Sequence, residues 1–397
     1  MTDSAWLTII GVGEDGIAGL TPTARTALDE AEVVMGPPRH LALLPETGAR
    51  RVAWPVPFAE GIDILLSHRG TRTVALASGD PFWFGAGSVL ARHLEPGEWS
   101  ALPGPSCFSL AASRLGWPLE QTTCLGLHAA PLPRLRPHLA DSVRLIVTLR
   151  DGEAVTALAS YLTGEGFGAS MLHILESLGG PREAITTIRA DALQGRSFSH
   201  PLVVAIAPKG GAALTLASGR ADDWFHSDGQ MTKRPVRALA LSALAPRPGE
   251  HLWDIGGGSG SIGIEWLMSG PSLSATTIEP REDRAERIRA NADRLGVDRL
   301  SVVHGAAPEA LSGLPRPDAI FIGGGLSQAL LDHLTAHATG ARLIAHAVTL
   351  ESEALLAQAQ AAHGGDLMRI ELAQAGAIGP RRGWKSAYPI MQWSVTL

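Results

Sequence analysis

The chain has 397 residues, 45% of them apolar, with a net charge of −6 and two cysteines. This length favours two or three domains, the acidic balance argues against a nucleic-acid partner, and so few cysteines exclude a disulfide scaffold or a Cys-based zinc site. Neither a signal peptide nor the ~20-residue apolar run of a membrane span is visible, so we expect a soluble cytoplasmic protein without a membrane partner.

Short apolar runs alternate with helical patterns along the chain, which predicts α/β architecture. In the first half, the predicted strands are Trp6–Val12, Arg72–Ala77, Leu145–Leu149 and Leu202–Ala207. The predicted helices are Pro22–Glu32, Gly85–Leu94, Ser106–Leu115 and Glu153–Leu162. The turn-forming residues 208–211 and the small polar stretch 218–223 predict a boundary, and we place the domains at residues 1–210 and 211–397.

The second half repeats the alternation. Its predicted helices are Lys233–Leu244, Ser261–Met268, Arg281–Leu295, Leu326–Ala338 and Glu351–His363. Its predicted strands are Glu250–Ile255, Leu273–Ile278, Leu300–His304, Ala319–Ile322 and Ala341–Val348, followed by the runs Asp366–Ala373 and Tyr388–Thr396. The connection 376–387 shows no helical period, so the last two strands are predicted to pair antiparallel.

A glycine-rich loop, Trp253 to Gly260, lies between a predicted strand and a predicted helix. The backbone N–H groups of such a loop can approach a nucleotide closely, which makes Gly256, Gly258 and Gly260 candidate binding residues. The same glycines fit a dinucleotide fingerprint, so NAD is an alternative ligand. Two carboxylates favour S-adenosylmethionine: Asp254 is placed to bind its ammonium group, and Glu279 is placed to accept both ribose hydroxyls.

Three further stretches are predicted to complete this site. Thr232 precedes the first helix of the second half, where its segment can close over the cofactor. Ala306 and Ala307 follow a strand in a position suited to the adenine, and Gly323 ends the next strand. The absence of a Pro-Pro-aromatic turn there argues against a DNA base methylase and for a large ligand.

The first half carries three glycine-containing motifs, Ile10–Gly16, Ser78–Gly85 and Pro103–Ser109, with Arg114–Pro118 and Leu178–Glu183. Together they resemble the tetrapyrrole (corrin and porphyrin) methyltransferase family. The resemblance implies a cleft between two α/β subdomains, in which adenosylmethionine is bound by Gly11, Gly13, Gly79, Asp80, Pro105 and Ser106. One position departs from the family pattern, because Glu14 stands where a proline is usual.

The second half resembles the small decarboxylating methyltransferase of the cobalamin pathway. The matching residues are Thr232–Arg234, Trp253–Gly260, Asn291–Ala292 and Phe321–Gly325. The two resemblances imply a bifunctional enzyme acting on a polycarboxylated tetrapyrrole, a precorrin. The first half would methylate C5, and the second would methylate C15 and decarboxylate the C12 acetate. Such chemistry needs positioning rather than a protein nucleophile, so we assign no catalytic residue and expect no metal.

Basic residues near each cleft are expected to bind the carboxylates of the substrate. The best candidates are Arg381, Arg382 and Lys385 on the final connection, with a merely solvated loop as the alternative. We also expect a homo-oligomer. Two other interpretations stay open at this point: an NAD-dependent reductase in place of one methyltransferase half, and, because of Glu14, a half that only scaffolds.

Overall fold

The computed structural model describes residues 5–397 and divides into two compact units. The first unit runs to Leu132 and resumes with His138–Ala212. The second unit consists of Pro133–Pro137 and Ala213–Leu397. Each unit has its own sheets and its own buried apolar clusters, as a separately folding domain requires.

The first sheet of the first unit has five parallel strands in the order β3-β2-β4-β1-β5. The strands are β1 (Leu7–Val12), β2 (Val33–Gly36), β3 (Arg50–Ala53), β4 (Thr73–Ser78) and β5 (Trp99–Leu102). The helices are α1 (Pro22–Asp29), α2 (Pro38–Ala42), α3 (Glu60–Leu66) and α4 (Gly87–Leu90). Helix α1 starts where expected, because the Thr21 hydroxyl accepts a hydrogen bond from the backbone N–H of Ala24.

The second sheet of this unit is mixed and has the order β6-β7-β10-β8-β9. Its strands are β6 (Thr123–Gly126), β7 (Leu145–Thr148), β8 (Met171–Glu176), β9 (Ala184–Arg189) and β10 (Leu202–Ala207), with helices α5 (Cys107–Leu115) and α6 (Glu153–Gly164). Only the β6–β7 pair is parallel. The sequence patterns predicted β7 and β10, whose residues are almost all buried, and missed β6, β8 and the mostly exposed β9.

The second unit contains a seven-stranded sheet in the order β13-β12-β11-β14-β15-β19-β16. Its strands are β11 (His251–Ile255), β12 (Ser274–Glu279), β13 (Ser301–His304), β14 (Ala319–Ile322), β15 (Arg342–Ala347), β16 (Asp366–Ile370) and β19 (Ile390–Thr396). The helices are α7 (Arg234–Leu244), α8 (Ser261–Met268), α9 (Glu282–Arg294), α10 (Gln328–His337) and α11 (Leu350–His363). Strand β19 is antiparallel to both neighbours, which confirms the predicted antiparallel end.

The connection between β16 and β19 differs from the expected unpatterned segment. It forms an antiparallel hairpin of β17 (Ala373–Ile378) and β18 (Arg381–Ser386), paired from Ala373 with Ser386 to Ile378 with Arg381. Most of its side chains are exposed, including Trp384 at 77% and Ile378 at 64%. A hairpin without a buried face lacks the apolar alternation by which a strand is recognised, so its sequence gave no strand signal.

The core of the second unit lies on both faces of the large sheet. Leu252 packs into the cluster that contains Trp266 of α8, whereas its neighbour Trp253 packs into the cluster that contains Trp393 of β19. Successive side chains of a strand point to opposite faces, so a strand covered on both sides reads as a continuous apolar run. Because β11 is parallel to both β12 and β14, the carboxyl ends of these three strands lie at one edge of the sheet.

Candidate active sites

The first unit contains a cavity of about 430 Å³ at the carboxyl ends of its first sheet. Of the six cofactor residues that the resemblance implies, five line it: Gly13, Gly79, Asp80, Pro105 and Ser106. They come from three separate segments of the chain, after β1, after β4 and after β5. The fold therefore brings these residues together, as expected of the loops that follow parallel strands.

Close backbone contacts hold these three loops together. The N–H of Gly79 donates to the carbonyl of Val12 at 3.1 Å, and the N–H of Gly104 donates to the carbonyl of Gly79 at 2.9 Å. A Cβ on Gly11 would lie 1.7 Å from the Gly79 carbonyl oxygen, so only glycine permits this crossing. Gly11 does not line the cavity itself, and its geometry is that of a packing residue.

Two residues that the sequence singled out for ligand contact also have local structural roles. The Ser106 hydroxyl caps helix α5 by accepting from the N–H of Ser109 at 3.1 Å. The Asp80 carboxylate accepts from the N–H of Phe82 at 2.8 Å and so orders the aromatic turn Phe82–Phe84. Trp83 and Phe84 of this turn line the cavity, which gives it apolar walls suited to a flat ring system.

A polar group in the same cavity was not predicted from the sequence. Glu14 is 9% exposed and pairs with the guanidinium of Arg39. A second nitrogen of Arg39 lies 2.7 Å from His40 Nε2. The Ser78 Oγ lies 3.1 Å from this same His40 Nε2. Burial and the neighbouring Arg39 lower the pKa of His40 to about 3, so this imidazole is neutral at physiological pH.

The cysteine in this cavity is not set up as a nucleophile. Cys107 lines the wall, and burial raises the pKa of its thiol to about 11. The pKa of Cys124 is also raised to about 11 by burial. Because the thiolate is the reactive form, both cysteines stay protonated and unreactive near neutral pH.

The second unit has its own cavity, of about 440 Å³, at the carboxyl edge of the large sheet. The predicted cofactor residues that line it are Thr232, Gly256, Gly258, Glu279, Ala306, Ala307 and Gly323. Gly258 has a φ of +58° and lies against the carbonyl of Gln230, which a Cβ would approach to 3.3 Å. The segment before α7 therefore reaches the glycine loop, and its predicted closure over the cofactor stays a prediction.

Glu279 holds the glycine loop in place. One carboxylate oxygen accepts from the N–H of Gly258 at 2.8 Å and the other accepts from the N–H of Arg281 at 3.1 Å. The side chain lines the cavity although its residue is only 2% exposed. A fixed carboxylate beside a glycine cradle fits the ribose of an adenosyl cofactor, so the residues present suit S-adenosylmethionine.

Asp254 and Gly260 lie beneath this cradle and not on the cavity surface. The Asp254 carboxylate accepts from the N–H of Gly263 at 3.1 Å and from the Thr277 hydroxyl at 3.3 Å. Burial, with a smaller contribution from the like charge of Glu279, raises the pKa of Asp254 to about 7. In this geometry Asp254 ties β11 to the first turn of α8, and its predicted contact with the cofactor ammonium stays a prediction.

Tyr388, Ile390 and His346 are among the wall residues of the second cavity that the sequence analysis did not assign to a site. Tyr388 and Ile390 follow the hairpin, and His346 comes from the end of β15. His346 Nε2 lies 2.9 Å from Gln392 Oε1, so the imidazole donates and its orientation is set. Burial lowers the pKa of His346, which keeps the ring neutral. Each lies in an apolar run whose composition carries no binding signal.

The predicted basic cluster lies apart from the cavity wall. Arg381, Arg382 and Lys385 are exposed on β18, the second strand of the hairpin, and none of them lines the second cavity. The hairpin nevertheless leads directly into Tyr388, which does line it.

Among residues 5–397, no group of three or more His, Cys, Asp or Glu side chains is arranged to hold a metal ion. No helix in that range is long and apolar enough to cross a membrane.

Comparison with known families supports the two-part organisation. The family described as Tetrapyrrole (Corrin/Porphyrin) Methylases matches residues 6–194, and the Precorrin methyltransferase domain matches residues 223–397. A Sinorhizobium protein named precorrin-6Y C(5,15)-methyltransferase [decarboxylating] is 50% identical, and the alignment covers 99% of this chain and 97% of that protein. The chain belongs to this family.

Two other proteins are similar to parts of the chain. The cobalt-precorrin-6B C(15)-methyltransferase (decarboxylating) of Salmonella typhimurium is 34% identical over 40% of this chain and 85% of its own length. The crystal structure of the C-terminal domain of the Rhodobacter capsulatus precorrin-6Y C5,15-methyltransferase is 54% identical, covering 46% of this chain and all of that chain, with a TM-score of 0.45.

Family membership confirms the resemblance seen in the sequence and the predicted fold class, a tetrapyrrole-methylase half followed by a methyltransferase half. Because each half matches a methyltransferase family, neither is left for the NAD-dependent reductase considered above.

Proposed function

We propose that this chain is a bifunctional S-adenosylmethionine-dependent C-methyltransferase of cobalamin biosynthesis that converts precorrin-6B to precorrin-8X. The first unit methylates C5. The second unit methylates C15 and removes the C12 acetate carboxylate as carbon dioxide. The observation that carries this proposal is the presence of two separate cavities, each in its own unit, in a chain similar from end to end to a C(5,15)-methyltransferase.

The residues that would hold the cofactor differ between the two sites. In the first cavity they are Gly13, Gly79, Asp80, Pro105 and Ser106, on loops that Gly11 allows to cross closely. In the second they are the glycine loop with Glu279, and Thr232, Ala306, Ala307 and Gly323 around it. Bound adenosylmethionine supplies a methyl group on a positively charged sulfur.

The reaction requires each cavity to position the substrate and to exclude water. A meso carbon of the reduced macrocycle is electron-rich and would take the methyl group directly, so no protein nucleophile is needed. The electron pair of the broken carbon–sulfur bond stays on the sulfur, which becomes a neutral thioether, and the methylated carbon loses its proton. The protonated Cys107 thiol and the neutral imidazoles of His40 and His346 at the walls agree with that requirement. In the decarboxylation, the electron pair of the breaking bond passes into the conjugated ring, and the remaining methylene gains a proton to become a methyl group.

The substrate carries many carboxylates, and the hairpin offers positive charge to them. We propose that Arg381, Arg382 and Lys385 bind side-chain carboxylates of a tetrapyrrole at the mouth of the second cavity. Their exposure and the neighbouring wall residue Tyr388 support this role. We further propose a cytoplasmic homo-oligomer, since both cysteines are free and Trp384 and Ile378 are exposed for association.

A double variant tests the division of labour. Asp254→Ala with Glu279→Ala removes the carboxylate beneath the glycine loop of the second unit and the one beside it, which should abolish methylation at C15 and lower decarboxylation. The first unit should still add one methyl at C5. The measurement is the mass of the product and the position of label from methyl-labelled adenosylmethionine.

The wild-type product should carry two new methyl groups and lack one carboxylate. Glu286→Ala with Glu351→Ala is a matched control in the same unit, because both carboxylates are exposed and neither lines the second cavity. A doubly methylated product formed by the double variant at the normal rate would refute the assignment. A product without either methyl would show that the two units depend on each other.

A further inference from the structure

The one position that departs from the tetrapyrrole methyltransferase pattern, Glu14, has a defined environment in the first cavity. Its residue is 9% exposed, and its two carboxylate oxygens face two different arginines. One oxygen pairs with Arg39 Nη1, and the other lies 3.6 Å from Arg182 Nη2. Glu14 thus draws together a residue of helix α2 and a residue of the loop between β8 and β9.

Arg39 is held on more than one side. Besides Glu14, its guanidinium lies 3.3 Å from the Ser78 hydroxyl and 2.7 Å from His40 Nε2. Since an arginine only donates, the imidazole nitrogen accepts, and the neutral His40 adds no charge. The guanidinium of Arg39 is therefore oriented by three partners, while its side chain keeps 29% of its surface accessible and lines the cavity.

The charges of this group do not balance. Arg39 and Arg182 contribute two positive charges, Glu14 contributes one negative charge, and His40 is neutral. Arg182 is 70% exposed, so its remaining N–H groups are accessible. Arg182 does not line the cavity itself, but it belongs to the loop whose Leu178 does. One more anion, bound by both guanidiniums, would neutralise the cluster.

We propose that Glu14, Arg39 and Arg182 form a carboxylate-binding subsite that receives a side-chain carboxylate of the tetrapyrrole in the first cavity. Glu14 is a positioning residue, because it acts by presenting the two guanidiniums. Arginine is suited to the task, since its planar fork matches a carboxylate. This inference rests on the proposed function. The aromatic turn Phe82–Phe84 would offer an apolar wall to the ring that bears the carboxylate.

The principal test is Arg182→Gln, because an arginine this exposed can be changed with little risk to folding. We expect the KM for precorrin-6B in C5 methylation to rise by about tenfold, the usual cost of one hydrogen bond to a charged group, with kcat little changed. Arg182→Lys should restore part of the loss by retaining the charge without the fork. Arg189→Gln is the matched control, an exposed arginine of the same unit paired with Asp191 and outside the cavity wall.

Two further measurements distinguish a tetrapyrrole carboxylate from the cofactor carboxylate, and failure of the subsite from failure of the proposed function. Methylation at C15 by the same Arg182→Gln chain should be unchanged and serves as an internal standard. If neither carbon is methylated even by the wild-type chain, the proposed function fails, whereas an unchanged KM for precorrin-6B at C5 overturns the subsite alone. The affinity for adenosylmethionine should not move. If it falls about tenfold while the KM for the tetrapyrrole stays constant, the anion is the cofactor carboxylate and the proposal is wrong.

Glu14→Gln tests the positioning role separately. It leaves both positive charges and removes the group that orients them, so KM at C5 should rise and Arg182→Gln should add little more when combined with it. Independent, multiplicative effects of the two changes would show that Glu14 does not act through Arg182, which contradicts the proposal.

Discussion

Glu279→Gln should weaken cofactor binding in the second unit and leave the first unit unaffected. The wild-type carboxylate accepts two backbone hydrogen bonds, from Gly258 at 2.8 Å and from Arg281 at 3.1 Å. A glutamine offers one oxygen and one NH₂ group, so one backbone donor then faces another donor. The substitution keeps the side-chain shape while it removes the charge and one acceptor.

The magnitude follows from the contact that is lost. A hydrogen bond to a charged group contributes about 1.5–3 kcal/mol. Because about 1.4 kcal/mol corresponds to a factor of ten in affinity, the dissociation constant of adenosylmethionine should rise about 10- to 100-fold at this site. Residual binding should remain, since the glycine loop keeps its backbone N–H groups.

Equilibrium dialysis of the full chain with methyl-labelled adenosylmethionine measures both sites at once. The wild type should bind two equivalents, and Glu279→Gln should retain one tight site and one weakened site. Glu286→Gln, on the exposed side of α9, should bind like the wild type. Two tight sites in the Glu279→Gln chain would refute the role given to this carboxylate, and the loss of both sites would indicate general misfolding.

Three other outcomes are expected. Burial raises the pKa of Asp254 from 3.8 to about 7, so the folded chain holds a proton that the unfolded chain releases, and stability falls as pH rises from 4 to 7. Urea unfolding should therefore show a free energy of unfolding lower by about 3 kcal/mol at pH 8 than at pH 5, since about two pH units separate pH 5 from the folded pKa. Asp254→Asn should remove this difference, and an equal loss in the wild type and in Asp254→Asn would contradict the shift. Arg237→Leu should lower the free energy of unfolding by about 3–5 kcal/mol, because it leaves the fully buried Glu265 without its 2.7 Å partner. The exposed Arg281→Leu should cost much less in the same urea titration. Separately expressed chains 1–212 and 213–397 should each be soluble and bind adenosylmethionine in dialysis, whereas an unfolded or non-binding fragment would contradict the autonomy of the units.

Several buried strands were predicted from the sequence alone, although the fully buried β2 was missed. Leu202–Ala207 and Ala319–Ile322 were predicted as strands with the boundaries that the structure has. Both are short apolar runs that end at turn-forming residues, and desolvation of both faces requires such a composition. The antiparallel last strand was predictable for a related reason, since no helix separates the final two apolar runs.

The exposed strands were not predictable in the same way. β3, β9 and the hairpin β17–β18 present mostly exposed side chains, and their regular structure comes from backbone pairing with a neighbour. Pairing of this kind leaves little trace in side-chain composition, because a solvated edge tolerates many residues.

The site residues also fall into two groups, those found from the sequence and those whose position only the tertiary structure decides. Glycine loops and acids at strand ends were found from the sequence, because local backbone geometry and strand order fix which residue types can lie there. Whether Asp254 faces the cavity or the helix beneath it was decided by tertiary packing. Tertiary packing also brings Glu14 into contact with Arg39 and Arg182. These residues lie on different elements, and no sequence spacing relates them. Charges far apart in sequence act on one another only after the fold brings them within a few ångströms and removes the water between them.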